Sequence, residues 1–139
     1  MLRVLFVCSH NSARGQMAEA FFNHYAHENE LAESAGVEPG TLNSYVVRAM
    51  AEKGFDLSQN QTKCIFELYK EGHHFTHVVS VCDPEVAEQC PVFPGVMKNE
   101  HWNLKDPSAF VGSDEEIMQQ VRHVRDTIEE HVRAFLNIV

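Results

Sequence analysis

Short apolar runs alternate with longer segments of helical periodicity along the chain. Residues 2–7 are rich in Val, Leu and Phe, which is typical of a strand buried on both faces of a parallel sheet. After Gln16, apolar residues fall on one helical face at Met17, Phe21 and Tyr25. The pattern therefore predicts a strand, a turn and a helix at the amino-terminal end.

Three further apolar runs predict the remaining strands. They cover residues 31–35, 75–81 and 101–104. Gly36 ends the first of these runs, and the Asp106-Pro107 pair breaks the last, because proline disfavours continuation of the preceding backbone.

Helices are predicted between these strands. One begins at a cap formed by Thr41 or Asn43 and ends at Gly54, and another covers residues 62–71. Residues 83–99 contain three prolines and one glycine, which predicts a loop.

The last helix has the clearest signal. Ser113 and Glu116 form a capping-box signature, and apolar residues follow at steps of three and four. These apolar residues are Ile117, Val121, Val124, Ile128, Val132 and Phe135.

Strands that alternate with helices predict an α/β fold with a parallel sheet covered by helices on both faces. No repeat or linker interrupts residues 1–139, so we expect a single domain. In such sheets the functional crevice lies at the carboxyl ends of the strands. Cys8, Cys82 and Asp106 each follow a predicted strand, so we expect them to meet at this edge.

Composition limits the classes of partner. A net charge of −9 with only 11 Lys and Arg provides no basic stripe, so we expect no nucleic acid partner. The amino-terminal apolar run is too short for a signal peptide or a spanning helix, so we expect a cytoplasmic protein without a membrane partner.

The four cysteines are too few for a disulfide-stapled secreted scaffold, and a reducing compartment would keep them as thiols. None of the nine histidines pairs with a cysteine at zinc-finger spacing. We therefore expect neither a metal nor another cofactor.

The segment from Cys8 to Arg14 has the composition of an oxyanion site. Five residues between a cysteine and an arginine, entering a helix, can direct backbone N–H groups around an anion. The Arg14 guanidinium adds a two-pronged donor, and the same positive field favours Cys8 as a thiolate. The predicted oxyanion-binding residues are Ser9, His10, Asn11, Ser12, Ala13 and Arg14.

These residues resemble the low-molecular-weight tyrosine phosphatase superfamily, and within it the thioredoxin-coupled arsenate reductases. Residues 8–20 look like the phosphate-binding loop and first helix, residues 33–36 like the second strand, and residues 100–107 like the general-acid loop. The resemblance implies a four-stranded parallel sheet. It also implies that Asp106 protonates the leaving oxygen.

Thiolate attack on a tetrahedral centre begins both phosphatase and reductase chemistry, so the further cysteines must distinguish them. Cys82, at a strand end, is placed to attack Cys8 bonded to arsenic, leaving a disulfide and arsenite. The resemblance implies that Cys90 then attacks Cys82 and that thioredoxin reduces the resulting disulfide. We thus expect a monomer that binds arsenate, with phosphate and sulfate as competing oxyanions.

Two alternatives remain open at this level. The first is a tyrosine phosphatase in which Cys8, Arg14 and Asp106 suffice. The second is a redox-sensing or anion-binding module without turnover. In the phosphatase the other cysteines are regulatory, and in the redox-sensing module Cys8 oxidises reversibly. Without a redox role, Cys82 is a core residue at a strand end and Cys90 is a loop residue.

The sequence departs from the family pattern at several positions. Seven residues separate Cys82 from Cys90, one more than in staphylococcal members. Gly15 replaces a Ser or Thr, which removes a hydroxyl beside Cys8, and His10 replaces a Gly, which narrows the pocket against phosphotyrosine.

Some relatives bind potassium beside the loop. Asn11, Glu19 and Ser34 match three of the ligands, whereas Lys63 aligns with the acidic fourth. An ammonium group there replaces the charge of the ion, so we expect little potassium dependence.

Overall fold

The computed structural model describes residues 2–138, which form a four-stranded sheet and five α-helices. The strands are β1 (Leu2–Cys8), β2 (Glu30–Gly36), β3 (His77–Ser80) and β4 (Lys98–His101). The helices are α1 (Arg14–Tyr25), α2 (Ser44–Ala51), α3 (Ile65–Lys70), α4 (Pro84–Ala87) and α5 (Asp114–Phe135). The strand order is β2-β1-β3-β4 and every pairing is parallel, which confirms the predicted fold class.

Burial on both faces of the sheet explains the apolar run in β1. Residues 4–7 are all fully buried although successive side chains point to opposite faces. Phe6 contacts the ring of Phe22 from α1 and the ring of Trp102, and it lies in the hydrophobic core. The apolar pattern of β1 thus reflects its central position.

The predicted capping box begins α5. The Ser113 hydroxyl accepts a hydrogen bond from the Glu116 N–H, and the Glu116 carboxylate accepts one from the Ser113 N–H. From this start α5 packs against α1 and α2. None of the helices within residues 2–138 is long and apolar enough to cross a membrane.

The largest differences from the prediction lie in the last strand, in the segment before it and in the helix before β3. The last strand is β4, at Lys98–His101 rather than at 101–104, because an edge strand with mostly exposed side chains carries no apolar pattern. The segment 83–99, predicted as a loop, contains α4 and the start of β4. The helix predicted over 62–71 begins only at Ile65.

The chain adds β2 on one side of β1 and β3 on the other side. Such a switch point opens a crevice at the carboxyl ends of the two strands. Cys8 ends β1, and Cys82 comes two residues after β3, so both cysteines flank this crevice.

Candidate active site

The loop of residues 8–14 turns its carbonyl groups outward, toward the segment that follows β2. Four backbone N–H groups of that segment donate to four loop carbonyls. The pairs are Val37 to Cys8 (3.2 Å), Glu38 to Ser9 (2.9 Å), Gly40 to His10 (2.9 Å) and Asn43 to Ser12 (2.9 Å). Because the carbonyls are bonded on the outside, the loop N–H groups are left to face an anion on the inside.

Asn11 stabilises the loop from within. Its backbone is left-handed, with φ of 54°, and its side chain is fully buried. Its Oδ1 accepts from the Lys63 N–H at 2.8 Å and from Gln16 Nε2 at 3.1 Å, while its Nδ2 donates to Ser34 Oγ at 2.9 Å. The same Nδ2 lies 3.9 Å from Cys8 Sγ, so one amide contacts both the Ser34 hydroxyl and the Cys8 sulfur.

Gly36 allows β2 to lie directly beneath the loop. A Cβ at this position would lie 2.7 Å from Asn11 N, 2.8 Å from His10 C and 2.9 Å from Ser9 O. All three are backbone atoms, which no side-chain rotation can move away. Only glycine therefore permits this approach of strand and loop.

Gly15 leaves room for the Cys8 sulfur. A Cβ on this residue would lie 2.7 Å from Cys8 Sγ, so any larger residue would collide with the sulfur. The Cys8 thiol points toward the Ala35 carbonyl oxygen, at 3.7 Å. Ala13 precedes α1 without a side-chain cap, so the first N–H groups of the helix stay available to Cys8 and to an anion.

Burial is the largest influence on Cys8. It raises the pKa of the thiol, although hydrogen bonds from Asn11 and from the Gly15 backbone and the charge of Arg14 oppose it. In the free protein desolvation outweighs the loop donors and Arg14, which act in the opposite direction.

Arg14 is buried against the segment after β4. One amino group donates to Leu104 O at 3.2 Å, and the other lies 3.7 Å from Asp106 Oδ2. Asp106 Oδ1 accepts from both the N–H and the hydroxyl of Ser108, at 3.0 and 2.8 Å. The guanidinium is thus fixed, and a carboxylate with a defined orientation lies beside it.

A small cavity lies inside the loop. It is lined by Asp106 and by all seven loop residues, which include every residue predicted to bind an oxyanion. The structure therefore places Cys8, Arg14 and Asp106 around one cavity. Backbone donors, a guanidinium and a nucleophilic sulfur facing a single cavity are suited to displacement at a tetrahedral centre.

Cys82 lies within electrostatic reach of Cys8. Burial raises its pKa to about 11, with a further contribution from the negative charge of the Cys8 thiolate, while Arg14 opposes both. Ser80 in β3 is level with Val7 in β1, which sets this proximity through the sheet. The two cysteines are thus brought to the same crevice despite their separation in sequence.

Cys90 follows α4 and borders a different cavity. Burial raises its pKa to about 11, and the charge of a Cys82 thiolate adds to this increase. The cavity beside it, of about 400 Å³, is lined mainly by residues of the 87–101 segment. Cys90 is therefore placed where the charge of Cys82 affects its pKa. Cys64 precedes α3, and within residues 2–138 the structure shows no contact between it and Cys8, Cys82 or Cys90.

The residues that match a potassium site do not fit the ion. Lys63 Nζ lies 3.1 Å from Glu19 Oε1, and the same oxygen accepts a hydrogen bond from Ser34 Oγ at 3.0 Å. The ammonium group thus occupies the position beside the carboxylate that a cation would take. Elsewhere in residues 2–138, no group of three His, Cys, Asp or Glu side chains is placed to hold a metal.

Sequence reasoning did not identify three contributors. Gln16 is buried and donates to Asn11 O at 3.1 Å and to Gln61 O at 3.2 Å, which connects the loop to the segment before α3. Gly36 and the Leu104 carbonyl were also not identified. A glycine and a main-chain oxygen carry no side-chain signal, and a glutamine at a helix start is usually exposed.

Comparisons with known proteins identify the family of the chain. Residues 3–139 match the family of low molecular weight phosphotyrosine protein phosphatases. An arsenate reductase of Shouchella clausii is 36% identical over 132 residues, covering 95% of this chain and 93% of the relative. The arsenate reductase structure from Archaeoglobus fulgidus is 35% identical, with a TM-score of 0.74 and coverage of 96% and 98% of the two chains.

Two further solved structures describe states of an arsenate reductase. One is in the phosphate binding state, with 26% identity and a TM-score of 0.78. The other is in the oxidized state, with 26% identity and a TM-score of 0.79. Each comparison covers 99% of this chain and 98% of the other.

Proposed function

Because the chain belongs to the low molecular weight phosphotyrosine protein phosphatase family, we propose that it is an arsenate reductase with Cys8 as the nucleophile. The observation that carries this proposal is the placement of a second thiol, Cys82, two residues beyond β3 and beside the carboxyl end of β1, where Cys8 lies. The names of its relatives support the same reaction.

In the first step, the Cys8 sulfur attacks arsenic while the loop N–H groups and Arg14 bind the other oxygens. A sulfur–arsenic bond forms and one arsenic–oxygen bond breaks. The oxygen departs as water after Asp106 protonates it, and the thiol proton of Cys8 passes to the bound oxyanion. Arsenic remains pentavalent at this stage.

In the second step, the Cys82 thiolate attacks Cys8 Sγ. The sulfur–arsenic bond breaks, and its electron pair stays on arsenic, which leaves as arsenite. Two electrons thus reduce arsenic from the pentavalent to the trivalent state, and the Cys8–Cys82 disulfide is the oxidised product.

In the third step, Cys90 attacks Cys82, which releases Cys8 as a thiol and forms a Cys82–Cys90 disulfide. A dithiol protein of the thioredoxin class then reduces this disulfide and is itself oxidised. Transfer of the disulfide away from the oxyanion loop frees the loop for the next arsenate.

The Arg14 guanidinium acts on Cys82 as well as on the oxyanion. Burial and the charge of a Cys8 thiolate raise the pKa of Cys82, and Arg14 lowers it. Arg14 therefore favours the Cys82 thiolate that the second step requires.

A tyrosine phosphatase is the second candidate, since Cys8, Arg14 and Asp106 also suit phosphoester hydrolysis. In that reaction water releases the covalent intermediate, and Cys82 and Cys90 are not needed. The position of His10 at the cavity disfavours a bulky aryl ester.

The test is arsenate-dependent oxidation of NADPH in the presence of thioredoxin and thioredoxin reductase. We expect turnover by the native chain and by Cys64→Ser, no turnover by Cys82→Ser, and release of one arsenite per chain by Cys90→Ser. A silent native protein, or full turnover by both Cys82→Ser and Cys90→Ser, contradicts the proposal. Hydrolysis of an aryl phosphate that neither substitution changes would instead favour the phosphatase.

A further inference from the structure

Gln16 is a buried polar side chain whose amide is bonded at both ends. It is the third residue of α1, and only 1% of it is exposed. Its Nε2 donates to Asn11 O and Asn11 Oδ1, each at 3.1 Å, and to Gln61 O at 3.2 Å. Its Oε1 accepts from Asn60 Nδ2 at 3.1 Å. Because the donors and the acceptors lie at opposite ends, these bonds fix the amide of Gln16 in one orientation.

Two of these bonds hold Asn11, through its backbone oxygen and its side chain. Asn11 Oδ1 also accepts from the Lys63 N–H at 2.8 Å, so this oxygen faces two donors. The opposite end of the amide, Nδ2, therefore faces Ser34 Oγ at 2.9 Å and Cys8 Sγ at 3.9 Å. The Asn11 backbone is left-handed, with φ of 54°, which is uncommon for a residue with a Cβ. Gln16 thus stabilises both the backbone and the amide orientation of Asn11.

The orientation of Asn11 matters because this residue acts on the Cys8 sulfur. Burial raises the pKa of Cys8, and hydrogen bonds from the side chain and the backbone of Asn11 lower it. If the amide of Asn11 were reversed, Oδ1 rather than an N–H donor would face the sulfur. A thiolate at Cys8 would then be repelled by that oxygen instead of being stabilised.

We propose that Gln16 is a positioning residue, which holds Asn11 in the orientation that donates to the Cys8 sulfur. Asn60, an exposed residue before α3, orients Gln16 in turn through its Oε1. Three side-chain amides thus form a series from the surface to the nucleophile. The inference rests on the proposed function, since it assigns Gln16 a role in preparing the nucleophile of that same reaction.

The charged and titratable groups around Cys8 and Asn11 are separate from Gln16. They come from the loop, from α1, from the segment before α3 and from the ends of β3 and β4. These groups are His10, Arg14, Glu19, Lys63, Cys82 and Asp106. Within residues 2–138, the side-chain hydrogen bonds of Gln16 include no side chain of this set. A neutral substitution of Gln16 therefore changes the contacts of Asn11 without removing a charge.

The test is a titration of Cys8 by NMR, with the chain isotopically labelled at the cysteine β-carbons, whose chemical shifts report the conversion of thiol to thiolate. Gln16→Met keeps the length of the side chain but removes both ends of the amide. We expect the Cys8 titration to move upward by about one pH unit, which corresponds to about tenfold less thiolate at a given pH.

Two further variants accompany this measurement. Asn60→Ala alters no side chain in contact with the loop, and it should move the Cys8 titration in the same direction by a smaller amount. Gln120→Met is the matched control, because Gln120 on α5 also donates to two backbone oxygens, those of Val111 and Glu116. This control should titrate as the native chain does.

A merely structural role of Gln16 predicts the opposite sign. If Gln16→Met only opened the loop to water, Cys8 would lose part of the burial that raises its pKa, and its titration would move to lower pH. A downward move, or no move, would overturn the proposal. An equal upward move of Cys90 would also overturn it, because that result indicates a change throughout the fold.

The titration contains no arsenate and no reductant, so it is independent of whether the native chain turns over arsenate. A chain that is silent in the NADPH assay can still show the expected move of Cys8. Failure of the proposed function and failure of this inference are thus distinguishable.

Discussion

Arg14 Nη2 lies 3.7 Å from Asp106 Oδ2 in the free protein, and the guanidinium is almost completely buried whereas the carboxylate is 41% exposed. The carboxylate therefore partly neutralises the group that an incoming oxyanion must reach. An arsenate ion competes with Asp106 for Arg14, and it is repelled by Asp106 while that carboxyl is ionised.

Asp106→Asn should separate binding from chemistry. We expect kcat for arsenate reduction to fall by about 10²-fold, because the leaving oxygen loses its proton donor. KM should stay constant or fall, because the amide no longer repels the oxyanion. Steady-state kinetics with thioredoxin measures both constants, and Asp114→Asn on the exposed start of α5 is the control. Native kcat in Asp106→Asn would contradict the assigned role.

Gly36→Ala should disrupt the loop rather than the sheet. The new methyl group would meet three backbone atoms at 2.7 to 2.9 Å, so the loop must move away from β2. We expect orthophosphate to protect Cys8 from alkylation only at about tenfold higher concentration or more.

Gly54→Ala provides the control for this change. Gly54 has φ of +88°, and no atom lies within 4 Å of the position that its new methyl group would take, so the variant strains the backbone without touching the loop. If both variants bind orthophosphate equally weakly, general destabilisation and not loop displacement is the cause.

The Lys63–Glu19 ion pair predicts activity without potassium. Since the ammonium lies 3.1 Å from Glu19 Oε1, kcat/KM should be the same in KCl and NaCl at equal ionic strength. Lys63→Gln should lower kcat/KM, and KCl but not NaCl should restore part of it. Lys53→Gln, at a distant ion pair with Glu129, is the matched control. A steep rise of native activity with KCl alone refutes the prediction.

The thiols of Cys82 and Cys90 should react slowly at neutral pH. Burial raises each pKa from 9.0 to about 11, which lowers the thiolate fraction about 100-fold at a pH below both values. Below a pKa of about 11, the thiolate fraction increases tenfold with each pH unit. Alkylation rates of both peptides should therefore increase about tenfold per pH unit from pH ~8 to ~10 without a plateau.

The urea-unfolded chain is the reference for these rates. Its thiols have ordinary pKa values and should level off near the top of the same pH range. The slope against pH, and not the absolute rate, is the readout, because burial also limits access of the reagent. A plateau for folded Cys82 near pH ~9 would contradict the raised pKa.

The sequence predicted that Cys8 and Cys82 lie close together, because the carboxyl ends of parallel strands meet at one edge of the sheet. This prediction needs no knowledge of the connections between the strands. The contribution of Gly36 could not be predicted, since its role is defined by loop atoms that are distant from it in the sequence. The burial that raises the pKa of Cys8 could not be predicted either, because it depends on packing that the motif does not contain.

The errors at β4 and α4 have related causes. At the edge of the sheet, β4 buries little of its surface, so its side chains show no apolar pattern. Pro84 begins α4, a position where proline is favourable, yet together with two later prolines it predicted a loop. Proline is unfavourable in the interior of a helix but not in its first turn.

The strand order has a consequence for how the protein tolerates change. Cys8 and Cys82 are positioned by adjacent strands of the central sheet, so insertions in the surface segments leave their relation intact. Cys90 is positioned instead by the segment of residues 83–89, which lies outside the sheet and packs against the core through Val86 and Ala87. In the proposed cycle, arsenite release thus depends on the sheet itself, whereas the transfer of the disulfide to the surface depends on the segment that carries the third thiol.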